Sequence, residues 1–505
     1  MADDDKTTTY LAAVEGGGTT FVVSVACVLG PSDEGSNNTA NNNILKMGST
    51  RLKLLHTATI PKRNEATGEI PSNYSPEQII NEACSFFRQH LPQPCGHYSA
   101  LGIATFGPAG VDPNSKLQYG KILSGSPKKQ WRGVDILSPI KEACGLAGSD
   151  GAFEERVAFD TDVNAPAVAE FRHRCYLQQQ QQSSWTSNGN TSSSSNKPLT
   201  SLAYITIGTG VGVGLVLNSQ PLHGLLHPEG GHICIQPLPH DKFTGYSWGT
   251  NKSPYKGLGT VEGVASSVAL TERWIQMEQE REMVKKLYGK GGGSSSSSSP
   301  SRTKRDEVQQ QQPSDPTGTI SNNHNGDNAQ TREILSTLPD NHPIWLHASN
   351  AIANLCVSLL LLTSCQKIVL GGGIMKRDIL YPMVRSRVWT LLNGYLDSVE
   401  ELSEEGRLEE VIVRSSWEEV GSGLVGAFAL ALDAYEKVGV EEEEKRGITT
   451  GEVRTALLGS DAGDMKKATT ESEQHLFSSG VLVGIGLSFG CALMMSLLGR
   501  GLSRR

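Results

Sequence analysis

Apolar residues along this chain fall into short unbroken runs that alternate with stretches where they recur every three or four positions. The first kind reads as a strand covered on both faces, the second as a helix with one buried face. Residues 14–29, interrupted by Gly16, Gly17 and Gly18, predict a hairpin whose first strand ends at Glu15 and whose second begins at Phe21. Residues 100–104 and 157–159 predict buried strands. Residues 76–91 predict a helix, with Ile79, Ile80, Ala83, Phe86 and Phe87 on one face. Farther on, 202–207 and 211–217 flank a Gly-Thr-Gly turn and repeat the strand, glycine turn, strand order of the first hairpin. Helices are expected at 264–286 and 346–363, a strand at 367–370 ending in Gly371, Gly372 and Gly373, and a closing helix at 421–435. The pattern predicts two related α/β lobes, one over 8–170 completed by the closing helix and one over 200–435.

Four stretches break the rhythm: 35–43, 178–198, about 289–330 and 438–473. They are rich in Ser, Asn, Gln, Gly or like charges, with too little apolar area to offset the entropy of ordering, and they read as disordered insertions. Residues 436–476 read as a charged linker to an uncharged run at 477–498, about as long as a hydrocarbon core is thick. That run predicts a C-terminal transmembrane helix tethering a cytosolic protein to a membrane, an organelle surface being suggested by the flanking Arg500, Arg504 and Arg505. A glycine-rich buried helix competes with that reading.

Composition narrows the function. A formal net charge of -8 offers no basic field for a nucleic-acid backbone. The nine cysteines include no CxxC pair and fit a reducing compartment. The N-terminus lacks the basic and apolar regions of a secretory signal.

Candidate chemistry gathers at three places. Glycines at a hairpin turn let backbone N–H groups approach phosphate oxygens that a Cβ would hold off. Glu15-Gly-Gly-Gly-Thr-Thr20 and Gly208-Thr-Gly-Val-Gly212 both offer this, and neither is a P-loop or a dinucleotide-binding fingerprint. Asp160-Thr-Asp162-Val-Asn164 follows an apolar strand, so its side chains belong at a carboxyl end, where open α/β sheets place ligands. Asp162 is a candidate base for a sugar hydroxyl, and a helix cap is the competing role. His227-Pro-Glu229-Gly-Gly-His232 and Glu262 supply acceptors and donors suited to vicinal diols, with a metal or a structural hydrogen bond as rivals for Glu229 and His232.

Together and in this order the motifs resemble the ROK family of sugar kinases, and within it the bacterial-type fructokinases. The resemblance is carried by Val14-Glu-Gly-Gly-Gly-Thr-Thr-Phe-Val22, Ile103-Ala-Thr-Phe-Gly-Pro108, Ser126-Pro-Lys-Lys-Gln-Trp-Arg132, Thr161-Asp-Val-Asn-Ala165, Tyr204-Ile-Thr-Ile-Gly-Thr-Gly210, His227-Pro-Glu-Gly-Gly-His-Ile233 and Ile368-Val-Leu-Gly-Gly-Gly-Ile-Met375. It implies an actin-like, hexokinase-like (ribonuclease H-like) two-lobe ATPase fold with an interdomain cleft. By resemblance Asp162 is the general base, and Gly107, Pro108, Asn164, Glu229, His232 and Glu262 surround the sugar. Gly17, Gly18, Thr19 and Thr20 would meet ATP from one lobe. Gly208, Thr209 and Gly210 would meet it from the other, and Gly371, Gly372, Gly373 and Gly423 would border the adenosine. The implied cofactors are ATP and Mg²⁺, the implied reaction is phosphorylation of a free hexose, fructose first, and a homodimer is the implied assembly. Glucose or mannose as acceptor, or a catalytically weak membrane-tethered sugar sensor, are the alternatives. A repressor of the same family would need a helix-turn-helix ahead of the first glycine hairpin, where about ten residues stand.

One departure is large. The fructokinases bind a structural zinc just after the His-Pro-Glu segment, and of those ligands only His232 has a counterpart here. Ser253, Lys256 and Thr260 stand at the other positions and cannot form a closed thiolate and imidazole site, so no zinc is expected.

Overall fold

The computed structural model describes residues 8–17, 20–30, 43–62, 71, 74–148, 154–187, 197–246, 253–288, 333–417 and 419–445. Gly18, Thr19 and the expected anchor at 477–498 lie outside them. Both sheets belong to one compact unit, Met1–Val28 with Asn41–Tyr435.

The first sheet has the order β3-β4-β2-β1-β5-β6, built from β1 (Tyr10–Gly16), β2 (Phe21–Leu29), β3 (Ile44–Met47), β4 (Thr50–Ile60), β5 (Ala100–Thr105) and β6 (Val157–Thr161). The second has the order β11-β10-β7-β8-β9, from β7 (Leu202–Ile207), β8 (Val211–Leu217), β9 (Gln220–Pro221), β10 (Lys367–Gly371) and β11 (Ile412–Arg414). Their cores repeat one plan. An antiparallel hairpin, β1–β2 or β7–β8, has its first strand paired in parallel with a later strand, β5 or β10, which pairs in parallel with β6 or β11. That repeat is the two-lobe ribonuclease H-like arrangement expected from the sequence.

Three apolar layers follow from the alternation of side chains along the strands. On the outer face of the first sheet Ala12, Val14, Val23, Leu101 and Ile103 pack on α1 (Pro76–Gln89) and α2 (Leu137–Ala143). Helix α1 starts where Ser75 and Gln78 form a reciprocal capping box with Pro76 in the first turn, and it buries Ile79, Ile80, Ala83, Cys84 and Phe87. The inner faces of the two sheets share a layer with α3 (Asn164–Ser187) and, later in the chain, α9 (Ser422–Lys445). The inner face of the first sheet is lined by small residues, Ala13, Ala100 and Ala104, and at Gly102 any Cβ would overlap the Ala427 carbonyl of α9. The outer face of the second sheet carries α4 (Val261–Ala265), α5 (Ser267–Tyr288), α6 (Ile344–Thr363), α7 (Leu380–Leu392) and α8 (Leu408–Val411). Among the described residues α6 is the one helix long and apolar enough to cross a membrane, but the apolar stretch is 67% buried, as befits a core helix.

Three expectations change. Strands β3 and β4, which extend the first sheet, had no counterpart in the sequence reading. The single helix expected at 264–286 is two, broken at Ser266, whose extended backbone ends α4. Two helices also outrun the predicted edges of low-complexity segments. Helix α3 runs through the glutamines to Ser187 and α9 through the glutamates to Lys445, because Gln and Glu propagate a helix well once its first turns are packed.

Candidate active site

Strands β1, β5 and β6 lie side by side in parallel, with Gly16 level with Thr105 and Thr105 level with Thr161. Their carboxyl ends therefore deliver Glu15, Phe106 and Asp162 to one edge. The Asp162 N–H donates to the Thr105 carbonyl (2.8 Å), and the Phe106 N–H donates to Gly16 (3.0 Å). Asp162 is not the cap of α3. The Asn164 N–H donates instead to the Thr161 hydroxyl (3.0 Å), which leaves the Asp162 carboxylate for the cleft. Burial pushes the Asp162 carboxyl above its usual range, and the Lys128 ammonium pulls it back. Glu15 is pushed up to about 7 by burial and by the Asp162 charge, while the Leu424 N–H in the first turn of α9 lowers it. That turn can come so close because residue 423 is glycine: a Cβ there would overlap the Glu15 carboxylate.

The second lobe brings a group of acceptors and imidazoles to the same place. Glu229 stands between His227 (Nδ1 to Oε1, 3.6 Å) and His232 (Nε2 to Oε2, 3.7 Å), and His232 Nδ1 lies 4.0 Å from Glu262 Oε1. His232 Nδ1 is buried without a hydrogen-bond partner among the described residues. Loss of solvent, then the charges of Glu262 and Asp162, push Glu229 up to about 7. The Asp162 contribution places that carboxylate within the electrostatic reach of Glu229.

His227 ties this group to the first lobe. Its buried ring accepts from the Ala109 N–H at Nε2 (3.2 Å), so the ring proton sits on Nδ1, where it donates to the Pro228 carbonyl (3.3 Å) with Glu229 Oε1 just beyond at 3.6 Å. Gly107 and Pro108 are held in the same loop by Ser126 Oγ donating to the Gly107 carbonyl (3.4 Å) and Leu123 N donating to Pro108 (2.8 Å).

On the nucleotide side, the first glycine turn closes with Gly17 N donating to Thr20 O (2.9 Å). In the second turn Gly208 N donates to Gly210 O (2.9 Å), with Thr209 at the tip, and Gly208 O accepts from Ser267 at the start of α5 (2.7 Å). Glu262 Oε2 accepts from Val211 N (2.9 Å), so one carboxylate serves the second glycine turn and faces His232. Gly371 ends β10 and Gly372 and Gly373 follow it, where the Met375 N–H closes a turn on the Gly372 carbonyl (3.1 Å).

Asn164 does not join the sugar group. Its side chain is fully buried, with Oδ1 accepting from Leu215 N (3.2 Å) and Nδ2 reaching Leu222 O (3.5 Å), so it pins α3 to the second sheet. A polar residue near a strand end looks alike in sequence whether it meets a ligand or a neighbouring strand. Beside it, His223 Nε2 donates to the buried Asp160 carboxylate (2.8 Å), a second bond between the lobes.

The loop between His232 and Glu262 is anchored by a buried ion pair. Asp241 accepts from both terminal nitrogens of Arg273 (2.8 and 2.9 Å) and lies 3.0 Å from His347, with Phe243 stacked on the guanidinium at 4.4 Å. Burial raises the Asp241 carboxyl, but Arg273, the Phe243 N–H and His347 outweigh it and hold the group below its ordinary value.

Sequence reading passed over Glu15, Lys128, His223 and His227. Glu15 directly precedes the glycines and Lys128 lies within the Ser126–Arg132 stretch, so position alone marked both. The other two show their roles only once the lobes are apposed.

The ROK family sequence profile matches residues 45–434. The chain is 28% identical to a fructokinase of Zymomonas mobilis over 373 residues, 74% of this chain and 90% of the relative. It is 24% identical to a fructokinase of Lactococcus lactis over 428 residues, 85% of this chain and 99% of the relative. A ROK hexokinase structure from Thermus thermophilus covers 85% of this chain and 99% of its own at 18% identity and a TM-score of 0.46. With the profile spanning most of its length, the chain belongs to the ROK family.

Proposed function

We propose that this chain is an ATP-dependent hexose kinase that phosphorylates free D-fructose at the 6-hydroxyl, with Asp162 as general base. One observation carries the reading: the Asp162 carboxylate, free of any capping role, stands at the strand ends beside the first glycine turn and within reach of the charge on Glu229. A sugar hydroxyl hydrogen-bonded to Asp162 becomes a competent nucleophile as its proton is accepted. Glu229, His232 and Glu262 orient the remaining hydroxyls, while Gly107 and Pro108 border them. The turns at Gly17–Thr20 and Gly208–Gly210 receive the triphosphate on the N–H groups that their own closing bonds leave free, and Gly371–Gly373 with Gly423 border the adenosine. Mg²⁺, when bound with ATP, neutralises charge on the phosphate oxygens. Glu15 and Asp162 suit it, since burial and the Asp162 charge disfavour the Glu15 carboxylate and a cation beside the two would relieve it. The relatives named fructokinase favour fructose over glucose or mannose.

Asp162→Asn tests the base. Turnover of fructose with MgATP should fall by about 1,000-fold or more while the Kd for fructose, from isothermal titration, stays within about threefold. Unchanged turnover would sink the assignment. We propose also that residues 477–498 anchor the chain in a membrane, on the strength of their uncharged length. Carbonate extraction should leave the full chain with the membranes and release a chain ending at residue 476, and release of both would refute the anchor.

A further inference from the structure

The three glycine turns that would hold the nucleotide contain no lysine or arginine: residues 16–20, 208–212 and 371–373 carry only backbone groups, hydroxyls and one valine. A phosphoryl group in transfer carries charge over its three equatorial oxygens, and protein cations or metal ions usually offset it. The first lobe holds a cation close to the first of these hairpins. Lys128 Nζ lies 3.6 Å from the centre of the Phe106 ring, the residue that follows β5 and hydrogen-bonds Gly16. Phe106 meets Trp131 edge-on (5.5 Å), and Trp131 stacks on Phe21 (5.1 Å), the residue that opens β2 just after the first glycine turn. An aromatic platform thus couples the lysine to the phosphate hairpin. Its backbone is fixed as well, since Lys128 N donates to Ser126 Oγ (3.3 Å), the hydroxyl that also bonds Gly107.

Asp162 is the charge this ammonium feels. Burial lowers Lys128 to about 8, and the Asp162 carboxylate works against that shift. Yet among the described residues no carboxylate stands within ion-pair distance of it. A lysine placed only for packing would gain as much from its carbon stem, whereas this one holds its ammonium over the Phe106 ring with no bonded anion. Its placement makes sense if an anion arrives during the reaction cycle.

We infer that Lys128 is a catalytic residue of this site, the cation that meets the transferred phosphoryl group beside Asp162, an inference that rests on the kinase reading above. As the sugar oxygen forms its bond to the γ-phosphorus, the bond from that phosphorus to the β–γ bridging oxygen breaks. The electron pair leaves on ADP and the sugar proton passes to Asp162. Lys128 keeps its own proton throughout and offsets charge on the equatorial oxygens.

The test uses the full chain with Lys128→Met and Lys128→Arg. The Met variant should lose about 100-fold or more in kcat, with KM for fructose within about threefold, because the lost contact is made in the transition state. The Arg variant, which keeps the charge, should recover at least tenfold over Met. Isothermal titration adds a readout independent of turnover: Lys128→Met should bind fructose 6-phosphate about tenfold more weakly and fructose equally well. An unchanged kcat in an active chain, or weakening for fructose and its phosphate alike, would overturn the role of the lysine while leaving the kinase reading intact. If the unsubstituted chain phosphorylates no hexose, the kinase reading falls and the catalytic role of Lys128 falls with it.

Discussion

Glu15 holds a carboxylate in a place that disfavours its charge, under the first turn of α9 and in the field of Asp162. An acid raised in the folded state destabilises the fold where it must ionise. The cost is full above pH 7, shrinks as pH falls, and is gone below the ordinary carboxylate range. Glu15→Gln should therefore melt at a higher temperature than the unsubstituted chain at pH 8, by an amount reflecting about 3 kcal/mol as an upper bound. The gap should close near pH 4.5, and a gap independent of pH would contradict this account. Turnover should be lost at both pH values. Residue types near glycine turns and strand ends made Asp162, Glu229, His232 and Glu262 legible in sequence. What they left out was direction. Thr161 rather than Asp162 caps α3, and Asn164 faces β8, because tertiary hydrogen bonds chose among polar groups that sequence cannot rank.

The loop between His232 and Glu262 shows the same at the level of elements. It is held at its base by Ile235 N to Gly259 O (2.8 Å) and Val261 N to Ile233 O (3.1 Å), and at its far side by Asp241 on Arg273 and His347. Side chains of Asp241 and Arg273 are only 7% and 4% exposed, so removing one partner strands a buried charge. Asp241→Asn should cost about 3 kcal/mol of stability and raise KM for fructose several-fold, with kcat little changed. Because the Asp241 carboxyl sits below its ordinary value, this contribution is present at neutral pH and disappears as acid titrates the folded state. Treatment with EDTA should leave the melting temperature in place while abolishing turnover until Mg²⁺ is restored. A melting temperature lowered by chelation would mean that a metal, rather than the ion pair, holds the loop. Strong periodicity made α1 and α6 legible. Strands β3 and β4 were not, because β4 exposes Lys53, Leu55, His56 and Thr57 and carries no clean alternation.

Across the whole molecule, the repeated glycine hairpin announced two lobes of one plan, and both sheets follow it. The layer between them was hidden. Helices α3 and α9 bury against both sheets at once, and residues far apart in the chain complete it, as where the Glu170 carboxylate accepts from the hydroxyls of Ser415 (2.9 Å) and Ser416 (2.9 Å). Such contacts have no local signature. The extended α3 has a further consequence. The Gln178 side chain donates to the Lys197 carbonyl (2.8 Å) and accepts from the Leu199 N–H (3.0 Å), stapling the helix to the chain entering β7. The chain between these two anchor points has both ends fastened, so its length bears little on folding. A reporter protein spliced in at residue 190 should leave the melting temperature and fructose turnover within about a factor of two of the parent, provided Gln178 is kept. The same graft in a Gln178→Ala background should be tolerated less well, which makes this side chain the clasp that permits cargo to be carried there.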